Sequence, residues 1–514
     1  MSRRAKSWRV PDCRAVRDRV FVNTHPQLQL VVSLAQRGQF DEAMTEAARI
    51  VDNTTCAEAW RLLSQMNANS QRFVAALAAI ENALRQVAGS RSLRLERAQI
   101  LEQLGRPGEA LAELEDLARE ARDSPRLALQ LARVLQYSGL PDRAEMEVSA
   151  ALDAWPTDIP LHLLYAQLRW LQGAGEDIVT RLQETIARFP REMPLRLVTA
   201  DLLRQAGELP RARAVLTEAL ALAPRSSAVL TSLGVVLDDL GQTAEALQNL
   251  RAALVNAPDS VSARTNLAAT LLRTGDAREA LFHLDRLLAN FPDEQRLIAY
   301  RATALRVLGE PEYRRLHDYE RLVREYHLAP PAGYPDIDSF NREFAREVRA
   351  LHVSARRPLA QSLRGGSQTD RNLPANLPAV AAFLQCIREP ISDYISRLGK
   401  EPEHPTDRRK TAGFRVTGTW SVQLSPGGFH LNHVHPQGWL SSAYYIELPD
   451  GGEDRAGWLK FGEPGLPMAS CPPEHFVRPK AGMLVLFPSY LWHGTVPFDK
   501  GGRRLTAAFD VLPD

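Results

Sequence analysis

Small and apolar positions follow two different periods along the chain. Through its first part they recur on a 34-residue cycle marked by Gly105, Gly139, Gly173, Gly207, Gly241, Gly275 and Gly309. Seven residues before each stands a small residue, namely Ala98, Ala132, Ala166, Ala200, Gly234, Ala268 and Ala302. Five residues after lie Ala110, Ala144, Ala212, Ala246 and Ala280, with Ile178 and Arg314 as exceptions, and Pro156, Pro190, Pro224, Pro258 and Pro292 close successive units. Small residues at facing positions let two helices approach closely. Glycine takes the left-handed conformation that ends the first helix, and proline stops the second from running into the next unit. The cycle therefore predicts a stack of helix pairs. Residues 57–90 keep Ser64, Ala76 and Ala83 but have Gln71 for glycine, and 24–56 is one residue short, anchored at Gly38 and Ala43. Such looseness suits a terminal unit, which faces water on one side. After Gly309 the run Pro311-Glu-Tyr-Arg-Arg replaces the pattern, so the array covers 24–328 in about nine units.

Residues 329–335, Ala-Pro-Pro-Ala-Gly-Tyr-Pro, form a breaker-rich junction, taken as the domain boundary. Beyond it, Phe340, Phe344, Val348 and Leu351 predict a helix over 338–353, and 377–398 predicts a second, interrupted at Pro390. Between them Arg364-Gly-Gly-Ser-Gln-Thr369 breaks regular structure. It is either a loop whose Gly-Gly pair lets backbone approach a ligand, with Arg364 or Gln368 reaching it, or a plain surface loop. From Phe414 the period shortens to two. Strands are predicted over 414–424, 442–448, 458–461, 482–487 and 505–511, separated by turn signals at 425–428, 449–452 and 501–502. The expected fold is multidomain α + β: an all-α N-terminal solenoid, then over 336–514 an antiparallel jelly-roll or double-stranded β-helix with both helices packed outside.

Composition adds mainly exclusions. Lys plus Arg number 63 against 61 Asp plus Glu, a formal charge of +2, so neither nucleic acid nor an anionic membrane is expected as partner. Cys13, Cys56, Cys386 and Cys471 lie far apart without Cys-x-x-Cys spacing, which excludes a zinc ribbon or disulfide framework and makes a reducing compartment the default. Residues 1–23 begin with a twin arginine and stay basic, yet no apolar segment follows, so they read as a solvated tail. With no apolar run long enough to span a bilayer, the expected location is the cytoplasm. Arg211, Arg213, Arg273 and Arg278 are expected to be solvated on helix surfaces.

The candidate chemistry lies in Gly428-Phe-His-Leu-Asn-His-Val-His-Pro436. On an extended strand alternate side chains share a face, so His433 and His435 point the same way, making half a metal site. His493, after the apolar run 482–488, is the best-placed third ligand. Ten residues on, Arg504 shares a face with Thr506, Ala508 and Asp510, which puts a cation near the third imidazole. Arg503 takes that role if the register slips by one. His430 has the opposite parity and faces away on a regular strand, although a bulge at Gly427-Gly428 alters this; it reads as structural or as a support behind the ligands. His327, His404 and His475 default to structural roles.

This order of parts resembles the iron- and 2-oxoglutarate-dependent oxygenases, whose double-stranded β-helix carries a His-x-acid pair, a distant His and a later Arg. It is most similar to bacterial oxygenases in which such a domain follows tetratricopeptide repeats. Ser362-Leu-Arg-Gly-Gly-Ser-Gln-Thr369, Trp420-Ser-Val-Gln423, His433-Val-His-Pro436, Ser441-Ser-Ala-Tyr-Tyr445 and Phe487-Pro-Ser489 carry the likeness, and 504–511 also resembles aspartyl/asparaginyl hydroxylases. The resemblance implies Fe(II) held by His433, His435 and His493, with 2-oxoglutarate decarboxylated to succinate as a C–H bond is hydroxylated. Its remote carboxylate would lie on Arg504, whose permanent fork-shaped cation suits it better than lysine. No catalytic residue beyond these ligands is implied. Gln423, Ser442 and Tyr444 are candidates to hydrogen-bond the cosubstrate, with a core role the stronger reading for an aromatic at strand spacing. Trp420, Arg364 and Gln368 are candidates to line the site. The sequence departs from the family at His435, which stands where a carboxylate is usual; this leaves the centre one unit more positive and leaves room for zinc, copper or nickel. The repeats imply a groove for a protein or peptide partner. The competing readings are a noncatalytic adaptor with a degenerate barrel and a three-His cupin-like metal enzyme that does not use 2-oxoglutarate.

Overall fold

The computed structural model describes residues 26–36, 40–53, 56–70, 72–173, 178–352, 357–359, 361–369, 372–449, 455–499 and 501–514. The expected basic tail 1–23 and the turn at 450–452 lie outside them. The chain divides into two compact units, Met1–Glu147 and Val148–Asp514.

In the first unit antiparallel helices follow one another in pairs, such as Arg91–Gln103 with Pro107–Glu120. The small residues of the cycle sit where the pairs touch: Ala98, Ala110, Ala132 and Ala144 are all fully buried. Gly105 has φ 71° and Gly139 φ 76°. After Gly105 the Arg106 N–H bonds the Leu101 carbonyl (2.9 Å) and the Gly105 N–H that of Glu102 (3.0 Å), which satisfies carbonyls the helix end would leave bare. Two buried acids tie helices together: Glu96 accepts from Arg61 of the preceding pair, and Glu113 accepts from Arg94 and Arg97 within its own pair.

The second unit continues the pattern from Ile159–Leu171 to Gln295–Leu308. Glycine replaces alanine at 234 because a Cβ there would stand 2.7 Å from Leu250 Cγ. The last pair is truncated: after Gly309 the second helix shrinks to Glu312–Leu316. Arg273, expected in solvent, instead pairs with Asp238 at 2.8 Å and is half-buried, because successive first helices bring those side chains together. No described helix is long and apolar enough to cross a membrane.

The strands are β1 (Arg324–His327), β2 (Leu363–Gln368), β3 (Phe414–His430), β4 (Leu440–Glu447), β5 (Leu459–Phe461), β6 (His475–Val477), β7 (Met483–Pro488), β8 (His493–Thr495) and β9 (Arg504–Pro513). They form a six-stranded sheet, β1-β7-β4-β9-β3-β2, and a three-stranded sheet, β6-β5-β8, with every pairing antiparallel. One face of the larger sheet, through Leu440, Tyr444, Ile446, Leu505, Ala507 and Phe509, packs on Ile337–Arg349 and Pro378–Cys386. Glu347 accepts N–H bonds from Ala379 and Val380, capping the second helix with the first. The expected interruption at Pro390 falls at Ile387, one turn earlier, because Pro390 has no N–H for the carbonyl of Cys386.

Two strands lie where none was expected. β1 lies within the stretch assigned to the repeats and pairs with β7. β2 contains Gly365-Gly366, and the close approach these permit is to strand β3: a Cβ on Gly366 would stand 2.1 Å from the Gln423 carbonyl oxygen, and one on Gly428 2.3 Å from that of Gly365.

A buried histidine and a half-buried one make stability depend on pH. His317, stacked on Tyr313 at 4.5 Å, has its pKa pushed down to about 3 by burial and then by Arg306. His352, hydrogen-bonded between Ser367 (2.8 Å) and Ser421 (3.1 Å), is pushed down to about 4 by burial and then by Arg349. Both lie below the unfolded value of about 6.5, so the unfolded chain binds more protons in between, and stability falls as pH drops below about 6.5. The melting temperature should decrease between about pH 7 and 5, less steeply in His352→Gln. Equal melting temperatures across that window would show that both rings charge freely.

Candidate metal centre

β3 ends at His430, the chain bends at Asn432, and His433 then makes an isolated antiparallel bridge with His493 at the start of β8. The His433 N–H bonds the His493 carbonyl (2.9 Å) and the His493 N–H returns to His433 (3.1 Å). Opposed residues of an antiparallel pair carry side chains on one face. The two rings accordingly lie 4.3 Å apart, and that of His435 lies 5.2 Å from His433 and 5.1 Å from His493. One ring nitrogen from each lies within 4.8 Å of the others.

Each Nδ1 is engaged. His433 Nδ1 meets the Leu431 carbonyl at 2.8 Å, His493 Nδ1 that of Leu491 at 2.9 Å, and His435 Nδ1 the carboxylate Oδ1 of Asp510 at 2.6 Å. These oxygens accept, so Nδ1 carries the hydrogen and Nε2 keeps its lone pair in all three rings. Burial, reinforced by His435, holds the His433 pKa down to about 3, and burial with the neighbouring imidazoles holds His493 well below its usual value. Three imidazoles offering Nε2 make a donor set for a divalent transition metal.

His430 is not one of the three, but its ring stacks on His433 at 5.7 Å and its Nδ1 meets Ser362 Oγ at 3.1 Å. The strand pairing explains its position. From Leu424 to Phe429 β3 advances five residues while its partner β2 goes only from Gly366 to Arg364. The bulge over 425–428, with Gly427 at φ 79°, reverses the parity and turns His430 toward the site.

Register also sorts the other candidates. β9 presents Arg504, Thr506, Ala508 and Asp510 on one face, opposite Leu424, Val422, Trp420 and Thr417 on β3, and Thr506 and Asp510 lie opposite Tyr445 and Ser441 on β4. This is the face of the histidines, and Trp420 lies 5.6 Å from the His435 ring. Gln368 shares it through its pairing with Val422. The alternate residues face the helices. Gln423 pairs with Leu505, Ser442 Oγ bonds the Phe509 carbonyl (2.8 Å), and Tyr444 is a core residue whose hydroxyl bonds Asn341 (2.7 Å). These three, considered for hydrogen bonds to a cosubstrate, therefore lie on the face turned away from the histidines, and Tyr445 and Ser441 lie on the face turned toward them. Arg364 spends its guanidinium on carbonyls of its own segment, Gln361 and Leu363. Arg503 is exposed, because the register that buries Arg504 leaves its neighbour on the far side.

Arg504 is 3% exposed. Burial lowers its pKa, but a guanidinium stays charged in proteins. Its carbon lies 5.1 Å from the Tyr445 ring centre and its Nη1 donates to Thr495 Oγ1 at 3.4 Å. Its Nε and the Tyr445 hydroxyl make no well-aligned hydrogen bond, although the two side chains interact with each other, and no carboxylate pairs with Arg504 among the described residues. Tyr445, Ser441 and Asp510 also line this face and were not singled out as site candidates from the sequence; only Asp510 left a signal, through its shared face with Arg504.

Residues 418–510 match the family model described as "Putative 2OG-Fe(II) oxygenase". Tetratricopeptide-repeat models match 28–91, 69–125, 179–227 and 239–302. Among curated proteins none matches. Among solved structures the chain is similar to a tetratricopeptide repeat protein from Parabacteroides merdae (16% identity, 48% of this chain and 97% of that one, TM-score 0.32). It is also similar to yeast Tom70 (15%, 59% and 68%, TM-score 0.42) and to YrrB, a TPR protein with an unusual peptide-binding site (16%, 43% and 95%, TM-score 0.22).

Replacing one of three convergent ligands should abolish tight binding. In His493→Ala, metal retained after loading with Fe(II) and desalting should fall from about one equivalent to near zero, because two neutral imidazoles hold a divalent ion weakly. Undiminished metal content would remove the site from these residues.

Proposed function

Given tetratricopeptide repeats and a C-terminal domain of the 2OG-Fe(II) oxygenase family, we propose that the protein is a 2-oxoglutarate- and Fe(II)-dependent hydroxylase acting on a protein or peptide held by the repeats. In this reading the repeats cover 24–328, a junction 329–335, and the oxygenase domain 336–514.

The observation that carries the proposal is Arg504. A buried, permanently charged group is costly unless an opposite charge meets it, and none of the described residues supplies one. A dicarboxylate does. One carboxylate accepts from the guanidinium, whose fork matches its two oxygens, and the Tyr445 hydroxyl offers a further donor on the same face.

His433, His435 and His493 would hold Fe(II) through Nε2, and three protein ligands would leave the ion open to cosubstrate and dioxygen. With these bound, the metal supplies oxidative decarboxylation of 2-oxoglutarate to succinate coupled to hydroxylation of a C–H bond. The chain's own part is to orient the ligands through their Nδ1 bonds and to keep water from the rings. Phe487 lies 4.7 Å from His493, and Trp420 shields His435. Stacked repeats provide an extended concave surface suited to a peptide or protein segment.

A second reading has a specific observation in its favour. With His435 where the family usually has a carboxylate, three neutral ligands also suit a metal enzyme that does not use 2-oxoglutarate. Arg504 separates the two. Anaerobically iron-loaded protein given 2-oxoglutarate and oxygen should release succinate, and Arg504→Ala should raise the KM for 2-oxoglutarate by about 10- to 100-fold, the range for losing hydrogen bonds to a charged group. Metal retained without succinate release would favour the second reading.

A further inference from the structure

The negative charge that position 435 lacks stands directly behind it. Of the three imidazoles, His433 and His493 donate Nδ1–H to neutral main-chain carbonyls, whereas His435 donates to the Asp510 carboxylate at 2.6 Å. Asp510 Oδ1 also accepts from Ser441 Oγ at 2.7 Å, and Ser441 Oγ is held by Ser489 Oγ at 2.8 Å. The strand register makes this arrangement: Asp510 lies opposite Ser441 on β4 and opposite Thr417 on β3, on the site face of β9. No Lys or Arg pairs with Asp510 among the described residues, and His435 is the one basic side chain in contact with it. Its charge is therefore not spent on a fixed cation. With side chains only 20% and 13% exposed, water screens the Asp510–His435 contact weakly.

We infer that Asp510 is a positioning residue that acts through His435 in place of the missing carboxylate ligand, fixing the ring so that Nε2 faces the metal and returning one negative charge to the centre. The inference rests on the metal reading above. A carboxylate accepting from a ligating imidazole makes the far nitrogen a stronger donor, and such partners are worth about 10- to 100-fold in metal affinity. Arg504 and Asp510 would then divide the work of β9, one side chain for the anionic cosubstrate and one for the cation.

The test uses full-length apoprotein and Co(II), whose visible bands report ligand geometry, with affinity read by competition against a chelator. Asp510→Asn keeps the shape and removes the charge. It should weaken Co(II) binding by about 10- to 100-fold and shift the bands while leaving the apoprotein's melting temperature unchanged. Combining it with His435→Asp moves the carboxylate onto the metal and should recover most of the lost affinity. Unchanged affinity in Asp510→Asn, or a double variant no tighter than the single one, overturns the inference. If Asp510→Asn melts early, Ser441→Ala decides, since it leaves the charge and frees its orientation; unchanged affinity and bands there overturn positioning. Wild-type protein that binds no Co(II) overturns both the metal reading and this inference. Weakened metal binding in Asp510→Asn, with succinate release insensitive to Arg504→Ala, overturns only the 2-oxoglutarate reading.

Discussion

The pair of backbone hydrogen bonds between His433 and His493 sets the position of everything else in the site. Sixty residues of chain separate the two (433 and 493), and only an antiparallel bridge puts their side chains on one face at contact distance. The bridge is held from outside. The Gln295 N–H bonds the Pro436 carbonyl, one residue past His435, and Trp492 Nε1 beside His493 donates to Thr303 Oγ1. Both contacts come from the helix Gln295–Leu308, whose Ile298 and Ala299 share a buried cluster with Val434 and Trp492. The last repeat thus buttresses both histidine-bearing segments, and its truncated second helix is followed by a single further turn of helix, Tyr319–Leu322, and then the edge strand β1.

Inside that frame the polar groups divide by charge. His433 and His493 are kept neutral by burial and by the neighbouring imidazoles, which frees their lone pairs. The two charged side chains that reach this face from β9 differ in their partners: Arg504 has no counterion among the described residues, while Asp510 has a histidine. A buried cation without a counterion and a histidine cluster without a carboxylate member both leave room for anionic charge, which is what the proposed 2-oxoglutarate reading draws on. The aromatic rings of Trp420, Phe461 and Phe487 around the histidines lower the local dielectric and strengthen each of these interactions.

The repeats rest on a different constraint, the distance between paired helices. Alanine at facing positions, and glycine at 234 where even a Cβ would strike Leu250, set that distance, and left-handed glycines turn the chain between helices. Each of these depends on neighbours within one unit, which is why a 34-residue cycle predicted them. Arg273 was misjudged because its partner Asp238 lies one unit away, across an interface that no local pattern records.

Sequence determined what lies within one element or one period: the helix pairs, the long strands, the His-x-His spacing and the shared face of Arg504, Thr506, Ala508 and Asp510. Tertiary structure decided which face of each strand meets the site. Period two sorts side chains into two sets but does not say which set is inward, so Tyr444 went to the core and Tyr445 to the site only through the pairing of β4 with β9. The bulge over 425–428 turned His430 inward, because an unequal advance of two strands exists only once they are paired. The bond from His435 to Asp510, seventy-five positions away, required the closed sheet for the same reason. Spacing fixes direction along a strand, but distance between strands belongs to the fold.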